Sequence, residues 1–280
     1  MKCSRCPSSN GGSGLIQERV GGRSSGGGLD VCWVSDIGRT RENNEDACIA
    51  LPEQGLLIVT DGMGGEHAGE LAARLVVEWL PDIVAEHVGG TPDSDPHSME
   101  SALRDAIVVL NHRLRLECST LGHGNKMGAT VAMTLVRASS AHVAHMGDSR
   151  VYLLRDGRLE RLTTDQSVVG MLVERGAITP EQAELHPMRG QLARYVGMGG
   201  EARAEVRTVT LQAGDRLILC TDGLTDSLKD DAIQDILVRC RKIELACQAL
   251  VAAAKSHDNI TVMIAEWRGE CAAIRCPRRA

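Results

Sequence analysis

The chain twice runs a short apolar segment into the same three residues. Residues 56–59 read Leu-Leu-Ile-Val and lead into Thr60, Asp61 and Gly62; residues 217–220 read Leu-Ile-Leu-Cys and lead into Thr221, Asp222 and Gly223. An unbroken apolar run of this length predicts a strand buried on both faces. A carboxylate at its end, followed by a residue that frees the backbone, predicts a strand delivering charge to a site. A lone Asp-Gly is ordinarily a turn, but the repeat argues otherwise, as does Asp258-Asn259 just before the apolar segment at 260–265. Glu45 and Asp46 precede the first copy. Carboxylates this close to core strands are costly unless neutralised, and no Arg or Lys neighbours Asp61 or Asp222 within several positions. The pattern predicts that these carboxylates converge on divalent cations with Asp61 at the centre. Such an all-oxygen set suits magnesium or manganese.

The segment Arg41-Glu42-Asn43-Asn44-Glu45-Asp46 adds a guanidinium near a carboxylate pair. Arg presents a planar fork that grips phosphate oxygens in two places. Taken alone, so polar a loop is equally a solvated surface turn.

Length and charge narrow the classes. At 280 residues the chain fits one large domain or two small ones, and a net charge of −6 argues against a dedicated nucleic-acid binder. No apolar run reaches the roughly 18 residues of a membrane span. The N-terminus lacks the basic start and apolar block of a signal peptide, so the cytoplasm is expected. Six cysteines sit singly in apolar-periodic segments as small buried hydrophobes. Cys3, Cys6, Cys271 and Cys276 lie near the two ends in spacings that match no standard zinc set.

Along the chain, residues 1–28 are Gly- and Ser-rich and predict a flexible leader, 29–268 a single folded domain, and 269–280 a basic tail. Short strands are expected at 31–34, 47–51 and 56–60, then helices over 71–80, closed by Pro81, and 99–114. Strands follow at 129–136, 141–146, 151–155 and 159–162, with Asp156-Gly157 as a hairpin turn. Residues 163–200 break the β pattern with a helix at 168–175 and a helix start at Thr179-Pro180-Glu181, a candidate flap over a site. Strands at 206–211 and 216–220, helices at 230–240 and 244–256, and a last strand at 260–267 complete the domain. This order excludes a doubly wound sheet and fits an α+β fold, two stacked, mainly antiparallel sheets with helix pairs outside.

Arg41-x-x-x-Glu45-Asp46, Asp61-Gly62-Met63-Gly64-Gly65, Gly147-Asp148-Ser149-Arg150, Thr221-Asp222-Gly223 and Asp258-Asn259 occur in the order of the metal-dependent Ser/Thr protein phosphatases. Over residues 30–267 the chain resembles that family, known as PPM or type 2C. Met63 resembles the bacterial branch, where eukaryotic members usually carry His. The resemblance implies an αββα sandwich with a two-metal site, Mn2+ or Mg2+, at one edge of the sheets. By matching positions it implies that Asp61 bridges both ions, that Asp222 and Asp258 complete one, and that Glu45 and the Gly62 carbonyl hold the other. Asp46 would orient metal-bound water, and Arg41 would hold the substrate phosphate. It further implies hydrolysis of phosphoserine and phosphothreonine by direct attack of a metal-bridging hydroxide, without a phosphoenzyme. The implied partners are phosphorylated Ser/Thr proteins and a Ser/Thr kinase that the enzyme opposes in bacterial signalling, with no nucleic acid or membrane, the enzyme acting as a monomer.

Two positions depart from the family pattern. Glu66 stands where bacterial members typically have His, with His67 following, and Asn125 is nearest to where an Asp often binds a weaker third ion. A non-catalytic relative that binds phosphoproteins as a scaffold is the alternative these departures leave open. A hydrolase of small phosphate esters is a further one, though no phosphate-cradling Gly-rich loop or HExxH helix is present. Asp148 and Arg150 are expected to be structural, pairing within the sheet, and His142 and His145 to be core or surface histidines.

Overall fold

A computed structural model of the chain describes residues 19–64, 67–93, 95–122 and 127–269. Strands β1 (Arg19–Gly26), β2 (Leu29–Asp36), β3 (Asp46–Leu51) and β4 (Leu56–Met63) open the domain. Helices α1 (Ala68–Val88) and α2 (Pro96–Thr120) follow. Next come β5 (Gly128–Ala129), β6 (Val131–Arg137), β7 (Ser140–Met146), β8 (Arg150–Arg155) and β9 (Arg158–Arg161). The segment from 163 to 200 carries α3 (Val168–Glu174) and α4 (Pro180–Glu184). The chain then forms β10 (Glu205–Thr210), β11 (Arg216–Cys220), α5 (Asp222–Thr225), α6 (Asp230–Arg239), α7 (Ile243–Ala254) and β12 (Ile260–Trp267).

The strands form two sheets, ordered β1-β2-β12-β11-β8-β9 and β10-β7-β6-β4-β3, with β5 paired to β4. The ladders are antiparallel. Period-two alternation explains the two apolar runs. Leu57 and Val59 of β4 meet Leu217 and Leu219 of β11 between the sheets. Leu56 and Ile58 face the other way, against α1 and α2. Ile218 and Cys220 face α6 and α7. Each run is therefore wholly apolar because each strand is covered on both sides. The result is the four-layer αββα sandwich that the element order predicts.

Two expectations need correction. The leader expected over 1–28 gives way to β1 from Arg19, which pairs along its length with β2 from Arg19↔Asp36 to Gly26↔Leu29. A backbone ladder requires no apolar pattern, and Gly27 and Gly28, at φ 54° and 80°, make the two-residue hairpin turn. Gly22 is bare where a Cβ would sit 2.3 Å from the Trp33 ring, which packs against it. Helix α1 does not stop at Pro81 but continues to Val88. Proline removes one ladder hydrogen bond, yet Ile83, Val84 and Val88 extend the buried stripe on the sheet. That packing outweighs the local preference. Residues 1–18 and 270–280, with Cys3, Cys6, Cys271, Cys276 and most of the basic tail, lie outside the described residues, as do Glu66 and Asn125.

The other cysteines, Cys32, Cys48, Cys118, Cys220 and Cys247, are buried, and Cys240 is half-buried. Truncating Leu57, fully buried between the sheets, leaves a cavity. Leu57→Ala is expected to cost about 2–5 kcal/mol in urea unfolding. Leu116→Ala, at a side chain 62% exposed on α2, is expected to change stability by less than about 0.5 kcal/mol.

Candidate functional site

The ends of β3, β4, β11 and β12 meet at one edge of the sandwich. Register places Asp46 directly opposite Asp61 across β3 and β4. Asp222 begins α5 immediately after β11, and Asp258 lies two residues before β12. The predicted carboxylates are thus brought together by four strands from two sheets.

The threonines of the repeated Thr-Asp-Gly are buried and make distinct contacts. Thr60 donates to the Thr130 carbonyl at 2.6 Å. Thr221 donates to Asp46 Oδ2 at 2.8 Å, as does Thr261. Asp46 is therefore gripped through one oxygen, while its Oδ1 is buried with no hydrogen-bond partner among the described residues. Asp61 is fixed through its backbone: its N–H donates to Thr130 Oγ1 at 2.9 Å, and its carbonyl accepts from Thr130 N at 2.8 Å.

Asn259 organises the loop that carries Arg41 and Glu45. Its amide donates to the Ile37 and Asn43 carbonyls at 2.8 and 3.0 Å, and its Oδ1 accepts from Glu45 N at 2.8 Å. Gly38, at φ 79°, lies where a Cβ would approach the Asp258 carbonyl to 2.1 Å. Only glycine lets the two loops touch there. Arg41, 48% exposed, forks onto Asp258, with Nε to Oδ1 and Nη2 to Oδ2 both at 2.8 Å, and its Nη1 is 3.8 Å from Glu45. Asn43 Nδ2 and His67 Nδ1 lie 3.0 Å apart, so His67 braces this loop. Gly62 is hydrogen-bonded through its N–H to the Glu45 carbonyl at 3.0 Å.

The electrostatics follow from the crowding. Burial raises Asp61 well above the usual carboxylate range, and Asp46, Asp222, Asp148 and Asp258 add to the effect. Asp46 is pushed up to about 8 by burial, against the stabilising hydroxyls of Thr261 and Thr221. Asp222 is raised to about 6 by burial and by Asp226 and Asp258, offset by a hydrogen bond with Asp61. Glu45 is raised by burial, with Arg41 opposing. No group of three or more His, Cys, Asp or Glu side chains among the described residues forms a ready metal cage. Arg41 brings positive charge to Asp258 and Glu45. The buried Asp222 Oδ1, like Asp46 Oδ1, has no hydrogen-bond partner among the described residues. Hard oxygen donors with unmet partners and mutual repulsion are the chemistry that a divalent cation satisfies. The residues present fit such an ion.

Asp148 departs from the expectation. Arg150 does belong to an ion-pair network, gripping Asp165 at 2.9 and 2.7 Å, with Arg161 on the same carboxylate. Asp148 instead lines the same cleft as Asp222, and burial, reinforced by Asp222, raises its pKa. Its place in a turn gave no apolar or periodic signal to mark it. His142 and His145 are buried away from the cluster, beside Thr208 Oγ1 at 3.0 Å and the Thr164 carbonyl at 2.8 Å.

Asp148 and Asp222 line a cleft of about 880 Å3 whose opposite wall is the 163–200 segment, including Val169, Pro180 and Leu185. Two ion pairs span it, Arg189–Asp226 at 3.1 Å and Lys229–Glu184 at 3.6 Å.

Comparison with known proteins agrees with this fold. The family model described as Protein phosphatase 2C matches residues 38–258. The chain is 34% identical over 238 residues to the serine/threonine phosphatase stp of Listeria welshimeri, covering 83% of this chain and 93% of that one. It is 36% identical over 234 residues to the serine/threonine protein phosphatase PstP of Mycobacterium tuberculosis, where the match spans 83% of this chain and 44% of the mycobacterial protein. The solved structure of the M. tuberculosis phosphatase PstP/Ppp superposes with a TM-score of 0.74 at 33% identity, over 86% of this chain and 99% of that one. A structure of the PstP catalytic domain in complex with two manganese ions superposes with a TM-score of 0.70 at 32% identity, over 85% and 97% of the two chains. With the family model covering most of its length and the fold, motif order and relatives in agreement, the chain belongs to the protein phosphatase 2C family.

Proposed function

We propose that the protein is a metal-dependent serine/threonine protein phosphatase that removes phosphate from phosphoserine and phosphothreonine side chains of proteins. The observation that carries this reading is the meeting of Asp46, Asp61, Asp222 and Asp258 at one sandwich edge beside an exposed Arg41. Asp61, Asp222 and Asp258 are assigned to one divalent cation. Asp61, Glu45 and the Gly62 carbonyl are assigned to a second, with manganese or magnesium as the ions. When bound, two such cations lower the pKa of water to near neutrality and offset phosphoryl charge.

The chain's own residues do the rest. Arg41 sits at the rim, and the guanidinium fork that grips the Asp258 carboxylate here matches the two oxygens of a phosphate that would take its place. Asp46 is held by Thr221 and Thr261 through Oδ2, leaving Oδ1 to orient the attacking water. Asn259 keeps Glu45 and Arg41 in one rigid loop. The open cleft along the 163–200 segment suits a polypeptide carrying the phosphorylated residue, which that segment would cover as a flap. No described helix is long and apolar enough to cross a membrane. The reading completes as a monomeric cytoplasmic enzyme opposing a Ser/Thr kinase.

Hydrolysis of a phosphothreonine peptide tests it. Activity is expected with manganese or magnesium and to vanish with chelator. Asp222→Ala is expected to lower kcat/KM by at least roughly 100-fold. Full activity in chelator, or in Asp222→Ala, would remove the metal assignment. Arg41→Ala is expected to lower kcat/KM by about 10²–10³-fold with metal affinity largely kept, since its assigned partner is the transferring phosphoryl group. An unchanged kcat/KM would remove Arg41 from the phosphate.

A further inference from the structure

Two glycines meet behind the site. Gly62 ends the apolar run of β4, and Gly69 is the second residue of α1. A Cβ built on Gly62 would stand 1.9 Å from the Gly69 carbonyl oxygen and 2.9 Å from the Glu45 carbonyl oxygen. A Cβ built on Gly69 would stand 2.4 Å from Glu45 Oε1, 2.7 Å from its Cδ and 2.7 Å from the Gly62 carbonyl oxygen. These approaches are reciprocal. The first turn of α1 rests backbone to backbone on the end of β4, and the Glu45 carboxylate occupies the volume that a side chain at position 69 would fill.

The contact explains a feature of the helix start. His67, at φ 65°, supplies no side-chain cap to the first turn of α1. A carboxylate lying against that turn is favoured by the partial positive charge of a helix N-terminus. Glu45 is held from the other side by the Asn259 bond to its N–H, and Gly62 by its own N–H to the Glu45 carbonyl. Glu45, Gly62 and Gly69 form a closed triangle with no slack.

We propose that Gly69 is a positioning residue: its missing side chain sets the direction of the Glu45 carboxylate and the Gly62 carbonyl together. The proposal rests on the assignment of those two oxygens to one cation. A methyl group at position 69 must displace both. The Glu45 end can swing aside, because it is the far end of a flexible side chain. The Gly62 carbonyl can move only with the strand. The effect therefore falls on the ion assigned to Glu45 and Gly62, while the Asp222–Asp258 side keeps its geometry.

Manganese binding to the metal-stripped full chain, measured by calorimetry, tests this without reference to turnover. Gly69→Ala is expected to weaken one of the two sites by roughly 10–100-fold, as the loss of supporting contacts does at metal sites, and to leave the other unchanged. Glu45→Ala is expected to remove the same site. The double variant E45A/G69A is expected to bind as E45A does, because residues acting through one contact are not additive. Gly90→Ala, at a position with nothing within 4 Å, is expected to bind as wild type. If E45A loses a site and a folded G69A keeps both at wild-type affinity, the positioning role is wrong. If E45A itself binds as wild type, the metal assignment fails first and takes the proposal with it. Should G69A fail to fold, E45A/G69A is expected to melt higher than G69A, since Glu45 supplies two of the three closest atoms and the Gly62 carbonyl the third. A double variant that melts no higher than G69A would overturn the proposal.

Discussion

The pairing of Asp46 with Asp61 across β3 and β4 is the constraint around which the rest of this edge is arranged. Two carboxylates side by side at the end of core strands repel each other and lose hydration, and Asp222 and Asp148 press on the same space. The protein meets this with a fixed set of donors. Thr221 and Thr261 bind one oxygen of Asp46, Thr130 binds the Asp61 backbone, and Arg41 binds Asp258. Every one of these donors arrives from a different segment. The carboxylate cluster thus makes the alignment of both sheets, at this end, a condition of its own charge balance.

The same tripeptide serves two backbone outcomes. After Asp61 the chain stays extended through Gly62 and Met63, whereas Asp222 opens α5. The first arrangement turns a glycine carbonyl toward the first turn of α1, and the second places a carboxylate at the start of a short helix. Cross-strand neighbours decide between them: Gly62 pairs with Ala129 of β5, while the chain after Cys220 has left its ladder. An identical local signal therefore marks both positions without determining their geometry.

This bears on what the sequence could reveal. The strands β4 and β11 were legible because burial on both faces demands uninterrupted apolar residues, and the carboxylates stood out against them. The hairpin strand β1 was not, since its hydrogen bonds are made by backbone and its glycines are there to clear Trp33. The passage of α1 through Pro81 was hidden for the opposite reason: a local breaker is visible in sequence, and the sheet face that overrides it is not. Arg41, Glu45, Asp61, Asp222 and Asp258 could be named from spacing and resemblance. The hydroxyls of Thr221 and Thr261 and the orientation of Asp148 depend on contacts between residues far apart in the chain.

The wall of the cleft formed by residues 163–200 is tied across to the body by Arg189–Asp226 and Lys229–Glu184, pairs whose side chains are all largely exposed. Exposed ion pairs hold weakly and are screened by salt over distances of about 8 Å at physiological ionic strength. The bonds that hold Asp46 at the carboxylate edge, from Thr221 and Thr261, are buried, and salt leaves them alone. Ionic strength therefore weakens the ties across the cleft and leaves the buried hydrogen bonds of the carboxylate edge in place.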